Sequence, residues 1–144
     1  MIKIYTDGAC SGNPGIGGWG AIIINNNGKT IDLSGGKKQT TNNQMELTAT
    51  IKSLEYLKTK QDIKIYTDSK YVKDGISSWI NKLKINGWRT ANKKPVKNKE
   101  LWVQLDSLVS EHSIDWQWVR GHTGHPENEA ADQLANTGID ELYN

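Results

Sequence analysis

A pentapeptide that occurs twice constrains the fold of this chain more than any other feature. Lys-Ile-Tyr-Thr-Asp occupies residues 3–7 and again residues 64–68. Apolar and polar residues alternate in both copies, which is typical of a β-strand. The sequences around the copies differ, so the repeat does not indicate a repeat architecture. It predicts two strands with the same local role, each ending on a carboxylate.

The elements between these strands decide how they can meet. Alternation and an Asn27-Gly28 turn predict strands over about residues 19–25 and 29–34, separated from the first strand by a glycine-rich turn and forming a meander with it. A capping-box pattern at residues 41–44 predicts a helix over about residues 42–58. Because the next strand follows this helix, it can pair parallel to the first strand through a crossover.

The remaining pattern completes a single predicted domain over residues 1–144. Residues 69–85 are expected to be helical in two pieces that break near Gly75, and three leucines after residue 100 mark another helix. Residues 114–118 alternate as a fifth strand, and Pro126 suits the first turn of a last helix. We therefore predict an α/β fold, a mixed five-stranded sheet of three antiparallel strands followed by parallel strands, with helices packed on it.

The charge distribution indicates a polyanionic partner. Residues 58–99 hold twelve Lys or Arg against three Asp, whereas residues 100–144 hold one Arg against nine acidic residues. A solvated lysine-rich face would also explain the basic block, but Trp79 and Trp88 within it favour nucleic acid. The single cysteine and the lack of a long apolar run lead us to expect a cytoplasmic protein without membrane contact.

Carboxylates are the candidates for the chemistry. If the repeated strands are parallel neighbours, Asp7 and Asp68 stand together at the sheet edge where open α/β sheets bind ligands. Adjacent carboxylates repel unless a proton or cation lies between them, and Mg²⁺ prefers oxygen ligands. Each Asp alone would also suit the start of a turn, and Glu46 would suit the positive end of a helix dipole. Asp132 lies beside an apolar stripe, which a simple surface role explains less well.

Two other patterns suggest different functions but lack the required context. Residues 15–20 match the G-x-G-x-x-G dinucleotide pattern, yet a strand and an Asn-Gly turn follow where a helix is needed. His122 and His125 have a spacing seen in zinc sites, but no cysteine accompanies them. His122 lies in a glycine-bounded loop, where it is either a proton-transfer group or an exposed loop histidine.

Several motifs together resemble type 1 ribonuclease H over nearly the whole chain. They include residues 5–8, 10–15, 40–47, 66–69, 87–98 and 118–129. The resemblance implies a ribonuclease H-like fold and an endonuclease that hydrolyses the RNA strand of RNA–DNA hybrids, leaving 5′-phosphate and 3′-hydroxyl ends. It implies two Mg²⁺ ions, with Mn²⁺ as an alternative, held by Asp7, Glu46, Asp68 and Asp132. It assigns proton transfer to His122.

The same resemblance implies residues that contact the hybrid. The expected contacts to the RNA strand and minor groove are Cys10, Asn13, Asn42, Asn43 and Gln44. The expected contacts to the DNA strand are Thr41 and Asn98 at phosphates and Trp79 at a sugar. Residues 82–97 resemble a basic protrusion that some relatives use to grip the hybrid, and Lys84 and Trp88 belong to it.

This chain departs from the family pattern near the expected substrate groove. Leu83, Ile85 and Asn86 interrupt the basic protrusion. Gln44 stands where many relatives carry Arg, and Lys70 where many carry Gln. These differences concern hybrid affinity and cleavage pattern rather than the chemistry.

The sequence supports three alternative functions less well. A non-catalytic hybrid-binding module would require a missing metal ligand, and none is missing. A resolvase-like or integrase-like enzyme would share the carboxylates but not the segments at residues 10–15 and 121–129. A nucleotide-binding oxidoreductase is disfavoured by the glycine context. We expect a monomer that acts on an RNA–DNA hybrid.

Overall fold

The fold is an α/β sheet structure, and the computed structural model describes residues 1–90, 94, 96–119 and 126–143. The strands are β1 (Ile2–Gly12), β2 (Gly15–Ile24), β3 (Thr30–Thr40), β4 (Asp62–Thr67) and β5 (Ser113–Trp118). The helices are α1 (Asn42–Tyr56), α2 (Lys70–Asp74), α3 (Ile80–Ile85), α4 (Lys99–Ser110) and α5 (Pro126–Glu141), with a π-helical segment at Gly75–Trp79. Within the described part of the chain, no helix is both long and apolar enough to span a bilayer.

The predicted mixed five-stranded sheet is confirmed. The strand order is β3-β2-β1-β4-β5. The β1–β2 and β2–β3 pairs are antiparallel, whereas β4 is parallel to both β1 and β5. The two copies of the pentapeptide pair in register, with Lys3 opposite Lys64 and Tyr5 opposite Tyr66. The parallel ladder therefore aligns the first three residues of each copy and ends before Asp7 and Asp68.

The main core lies between the sheet and helices α1 to α4. Its sheet side carries buried isoleucines, including Ile4 and Ile65, and its helix side carries buried residues such as Leu47 and Trp102. Helices α1 and α5 lie on opposite faces of β2, because Gly17 lies against Met45 whereas Gly18 lies against the α5 backbone. Burial of these apolar side chains is the main favourable term for the fold.

The strands are longer than the sequence predicted. The glycine-rich segment expected as a turn over residues 8–18 instead continues β1 and β2 as a hairpin that turns at residues 13–14. Strand β3 also runs past Gly35-Gly36 to Thr40. Glycine carries no side chain and so gives no alternation signal, although its backbone pairs normally. Residues 15–20 lie within β2, which excludes the helix that a dinucleotide site requires.

The predicted break near Gly75 is present, since helix α2 ends at Asp74 with Gly75 as its C-cap, but the chain stays helical across it. Helix α2 passes into the π-helical segment and then into α3, and Gly75 is its first π-helical residue. A Cβ at Gly75 would collide with the indole ring of Trp102, which is fully buried. Gly75 therefore both caps the end of α2 and leaves room for the Trp102 ring.

We predict that Gly75→Ala lowers the free energy of unfolding by about 2 kcal/mol, because overpacking a filled core costs more than better helix propensity returns. Urea denaturation would measure the loss. Ser78→Ala, at an exposed position of the same segment, is the matched control and should change stability by less than about 0.5 kcal/mol. Equal stability of the Gly75→Ala variant and the parent protein would contradict this account of the packing.

Candidate active site

The parallel pairing of β1 and β4 brings Asp7 and Asp68 together near the C-terminal end of β4, in the middle of the sheet. Two residues before them, the Tyr5 and Tyr66 rings stack with centroids 4.5 Å apart. Asp68 follows the last residue of β4, whereas Asp7 lies within β1, which continues into the hairpin. The prediction that both strands end on a carboxylate is thus wrong for β1, although the two carboxylates do come together.

Glu46 approaches Asp7 and Asp68 from helix α1. The Thr41 side chain caps the helix by accepting a hydrogen bond from the Gln44 N–H at 3.2 Å. The start of α1 lies directly on β1, since a Cβ at Gly8 would be 2.6 Å from the Glu46 nitrogen. A residue without a side chain at position 8 is therefore what lets Glu46 approach Asp7.

These three carboxylates form a compact cluster. One oxygen each from Asp7, Glu46 and Asp68 lies within 4.8 Å of the others. Asp7 is 3% exposed and Glu46 is 5% exposed. Burial, followed by the charge of Asp68, raises the pKa of Asp7 from 3.8 to about 8. Burial and the charges of Asp7 and Asp68 also raise the pKa of Glu46 well above its ordinary value.

The cluster fits a hard divalent cation. All of its donors are carboxylate oxygens, which Mg²⁺ and related ions prefer. The buried Glu46 Oε2 has no hydrogen-bond partner among the described residues. A buried carboxylate oxygen without a partner is costly unless a proton or cation compensates it. The raised pKa values of Asp7 and Glu46 describe the same need, because burial and the neighbouring carboxylates disfavour the charged forms of these two groups.

The other two predicted catalytic residues, Asp132 and His122, are not members of the compact carboxylate group. Asp132 lies on α5, partly buried, and a contact with its side chain contributes to the raised pKa of Asp7. It therefore faces the cluster from the opposite helix, although the compact group comprises the other three. His122 lies outside the described residues.

The predicted RNA-strand contacts gather at the hairpin tip and the start of α1. The Asn13 Oδ1 accepts a hydrogen bond from the Asn42 N–H at 3.2 Å. Asn42 and Asn43 are exposed in the first turn of α1. Half-buried Cys10 donates through its thiol to the Thr40 carbonyl at 3.4 Å. The structure thus brings these residues onto one surface beside the carboxylates.

Gln44 and Asn98, predicted to contact opposite strands of the hybrid, are joined to each other. The Gln44 side chain donates to Asn98 Oδ1 at 3.1 Å and accepts from the Thr40 hydroxyl at 2.8 Å. Asn98 in turn donates to the Tyr71 hydroxyl at 3.1 Å. Thr41, the other predicted phosphate contact, is the N-cap of α1.

The aromatic and basic candidates lie along the helical region after β4. Trp79 is partly buried, and its ring meets the Trp102 ring edge-on at 4.6 Å. Lys84 makes an ion pair with Asp106 of α4 at 3.1 Å. Trp88 adopts a left-handed backbone conformation, with φ of 63°, and packs partly against the core.

Sequence reasoning missed Tyr71 and Trp118. The Tyr71 hydroxyl accepts from both Asn98 and Trp102. The Trp118 indole donates to the Asp68 carbonyl at 3.4 Å, and the Lys73 ammonium lies 4.5 Å from the centre of its ring. Their partners are distant in the sequence, so no local pattern signals these contacts.

Comparisons with known proteins agree with this geometry. The family described as RNase H matches residues 1–140. The chain is 60% identical over 139 residues to Ribonuclease H of Bradyrhizobium diazoefficiens, covering 96% of this chain and 90% of that protein. It is also 60% identical over 141 residues to Ribonuclease H of Francisella philomiragia, covering 98% of this chain and 92% of that one.

Solved structures resemble the fold over nearly all of the chain. One is LC9-RNase H1, described as a type 1 RNase H with the type 2 active-site motif, with a TM-score of 0.85 and 31% identity, covering 97% of this chain and 72% of that one. Another is LC11-RNase H1 in complex with RNA/DNA hybrid, with a TM-score of 0.75 and 25% identity, covering 100% of both chains.

The raised pKa of Asp7 predicts how stability depends on pH without metal. The folded chain binds this proton more tightly than the unfolded chain does, so folding is favoured below the ordinary pKa of 3.8. This contribution is lost as the pH rises through about 8. We expect the thermal midpoint of the chelated protein to fall across this range, and Asp7→Asn to flatten the fall. Added Mg²⁺ should raise the midpoint of the parent protein most at high pH.

The control for this titration is Asp115→Asn, which alters an exposed acid on β5. It should leave the shape of the pH profile unchanged. A chelated parent protein whose thermal midpoint is the same at about pH 5 and about pH 8 would contradict the assigned linkage.

Proposed function

Because the chain belongs to the RNase H family of endoribonucleases, we propose that it hydrolyses the RNA strand of RNA–DNA hybrids at internal positions. The reaction is proposed to use two divalent metal ions and to leave 5′-phosphate and 3′-hydroxyl ends. The observation that carries the proposal is the cluster of buried Asp7 and Glu46 with partly buried Asp68, whose ligand oxygens lie within 4.8 Å of one another.

The carboxylates are proposed to hold the metal ions, with Asp132 as the fourth ligand residue. When bound, such ions lower the pKa of the attacking water and balance the charge that develops at the scissile phosphate. The chain's contribution is to fix the ligand oxygens in a site largely shielded from solvent, where charges interact strongly. Mg²⁺ is the proposed ion, with Mn²⁺ as an alternative, because both suit oxygen ligands. His122 is the proposed proton-transfer residue.

Selection of a hybrid requires contact with 2′-hydroxyl groups on one strand. The surface formed by Asn13, Asn42 and Asn43 suits this task because small polar side chains both donate and accept hydrogen bonds. The hydrogen bond between Asn13 and the Asn42 backbone supports the two segments acting as one surface. Cys10, whose thiol donates a hydrogen bond to the Thr40 carbonyl, is the remaining proposed RNA-strand contact on this surface.

The opposite strand is proposed to lie along Thr41, Asn98 and Trp79, with Lys84 and Trp88 of the basic protrusion beyond them. Lys84 is exposed enough to meet a phosphate, with 45% of its side chain accessible, although Asp106 competes for its charge. We further propose that residues 1–144 act as a single domain, as a monomer and in the cytoplasm. The lone cysteine supports a reducing compartment.

The deciding experiment is cleavage of an end-labelled RNA–DNA hybrid with Mg²⁺, with duplex DNA and duplex RNA as parallel substrates. Only the RNA strand of the hybrid should be cut, and a chelator should stop the reaction. Asp68→Asn should lower kcat by about a thousandfold or more, since bound metal contributes several kcal/mol to such reactions. Asp115→Asn, an exposed acid outside the cluster, should cut at the parental rate.

Hybrid binding without cutting in either metal would replace this proposal with that of a binding module. Cutting of duplex DNA would favour a nuclease or strand-transfer enzyme of the same fold. Product ends test the chemistry separately, because a 3′-hydroxyl supports extension by a polymerase and a 3′-phosphate does not.

The ion pair between Lys84 and Asp106 predicts a limited role for this lysine. Lys84→Gln should weaken hybrid binding by less than about tenfold and reduce the slope of log Kd against log salt concentration by about 1, as expected for one phosphate contact. Asp106→Asn should strengthen binding, because it releases the lysine. If neither substitution changed the slope of log Kd against log salt concentration, Lys84 would not contact the hybrid.

A further inference from the structure

The side chain of Gln44 does not do what its sequence position predicts. In a capping box it would bond back to the backbone at the start of α1. The Thr41 half of that box is present, but the Gln44 amide instead links the Thr40 hydroxyl, at 2.8 Å, to Asn98 Oδ1, at 3.1 Å. This side chain therefore connects the end of β3 to the start of α4.

Asn98 also makes a hydrogen bond through its amide nitrogen, on the side away from Gln44. Its amide nitrogen donates to the Tyr71 hydroxyl at 3.1 Å, and the same hydroxyl accepts from the fully buried Trp102 indole at 2.9 Å. The Tyr71 ring packs against the Trp79 and Trp102 rings at 5.9 and 5.4 Å. The anchor for Asn98 is thus part of the packed core.

These bonds fix which way the Asn98 amide points. Its oxygen faces Gln44 and one of its N–H groups faces Tyr71, so the second N–H has no acceptor among the described residues and can meet an outside one. Asn98 also has a left-handed backbone, with φ of 61°, and its side chain makes no capping bond to its own helix. Its orientation therefore depends on Gln44 and Tyr71 rather than on α4.

We propose that Gln44 is a positioning residue that acts on the hybrid through Asn98, rather than a residue that contacts the RNA strand itself. The inference rests on the proposed function, in which Asn98 meets a phosphate of the DNA strand. Gln44 and Tyr71 together hold the Asn98 amide with its free N–H available to that phosphate. A pre-oriented donor binds more tightly because no side-chain entropy is lost on binding.

The test is a double-mutant cycle on hybrid affinity. Fluorescence anisotropy with a labelled hybrid, in the presence of a metal chelator, would give Kd for the parent, Gln44→Met, Asn98→Ala and the double variant. Methionine keeps the length of glutamine but cannot make these bonds. Gln44→Met should raise Kd about fivefold, the worth of one hydrogen bond. In the Asn98→Ala background the same change should alter Kd by less than about twofold.

Steady-state cleavage with Mg²⁺ provides the second readout. Gln44→Met should raise KM in step with Kd and leave kcat within about twofold of the parent, because the catalytic carboxylates are untouched. The matched control is Thr48→Val, which removes a hydroxyl bonded to the Gln44 carbonyl one turn along the same helix. It should leave Kd and kcat within about twofold of the parent.

Two results would overturn the proposal. Independent effects of Gln44→Met and Asn98→Ala that multiply in the double variant would mean that Gln44 meets the hybrid directly. No effect of Gln44→Met in the parent background would mean that Asn98 needs no such support. Tyr71→Phe gives a second route, since it should raise Kd in the parent but not in the Asn98→Ala background.

The cycle also separates this inference from the proposed function. If the protein bound the hybrid but cut nothing in any divalent metal, the catalytic proposal would fail while the Kd comparison would still decide the role of Gln44. If it bound no hybrid at all, both proposals would fall together.

Discussion

The repulsion among three clustered carboxylates, two of them buried and the third partly buried, is the constraint on which the rest of this structure depends. Asp7 and Glu46 are almost fully buried, and Asp68 adds its charge from the neighbouring strand. Such a cluster costs folding free energy unless protons or a cation balance it. Burial of apolar side chains elsewhere in the fold offsets this loss of folding free energy. The same excess of negative charge gives the site its affinity for a divalent ion.

Rigid elements hold the cluster together against that repulsion. Strand β1 is antiparallel to β2 along its length, where Asp7 lies opposite Gly20, and parallel to β4 up to Tyr5, two residues before Asp7. Helix α1 buries Leu47, Ile51 and Leu54 in the core, and close packing at Gly8 sets the distance between Glu46 and the sheet. A site built on such elements keeps its geometry better than one built on loops.

The proposed substrate surface depends on the core in a similar way. Asn13 is tied to the start of α1, and Asn98 is tied through Tyr71 to the buried Trp102. The Trp118 indole links β5 to the backbone of Asp68, and Lys73 lies over its ring. Asn98 is therefore positioned by aromatic residues of the core, which connects hybrid recognition to the packing of α4 and of the segment after β4.

The sequence by itself determined the features that rest on local periodicity. Alternation located the strands, a Thr N-cap located α1, and the repeated pentapeptide together with the crossover rule indicated the parallel neighbours that carry Asp7 and Asp68. Family motifs identified the RNase H family. The lengths of β1 and β3 were mispredicted and the packing of Trp102 against Gly75 was not foreseen, because glycine has no side chain to reveal what packs against it. Only the tertiary structure decided where Gln44 and Trp118 bond, since their partners lie 54 and 50 residues away and contacts at that separation depend on how the elements pack.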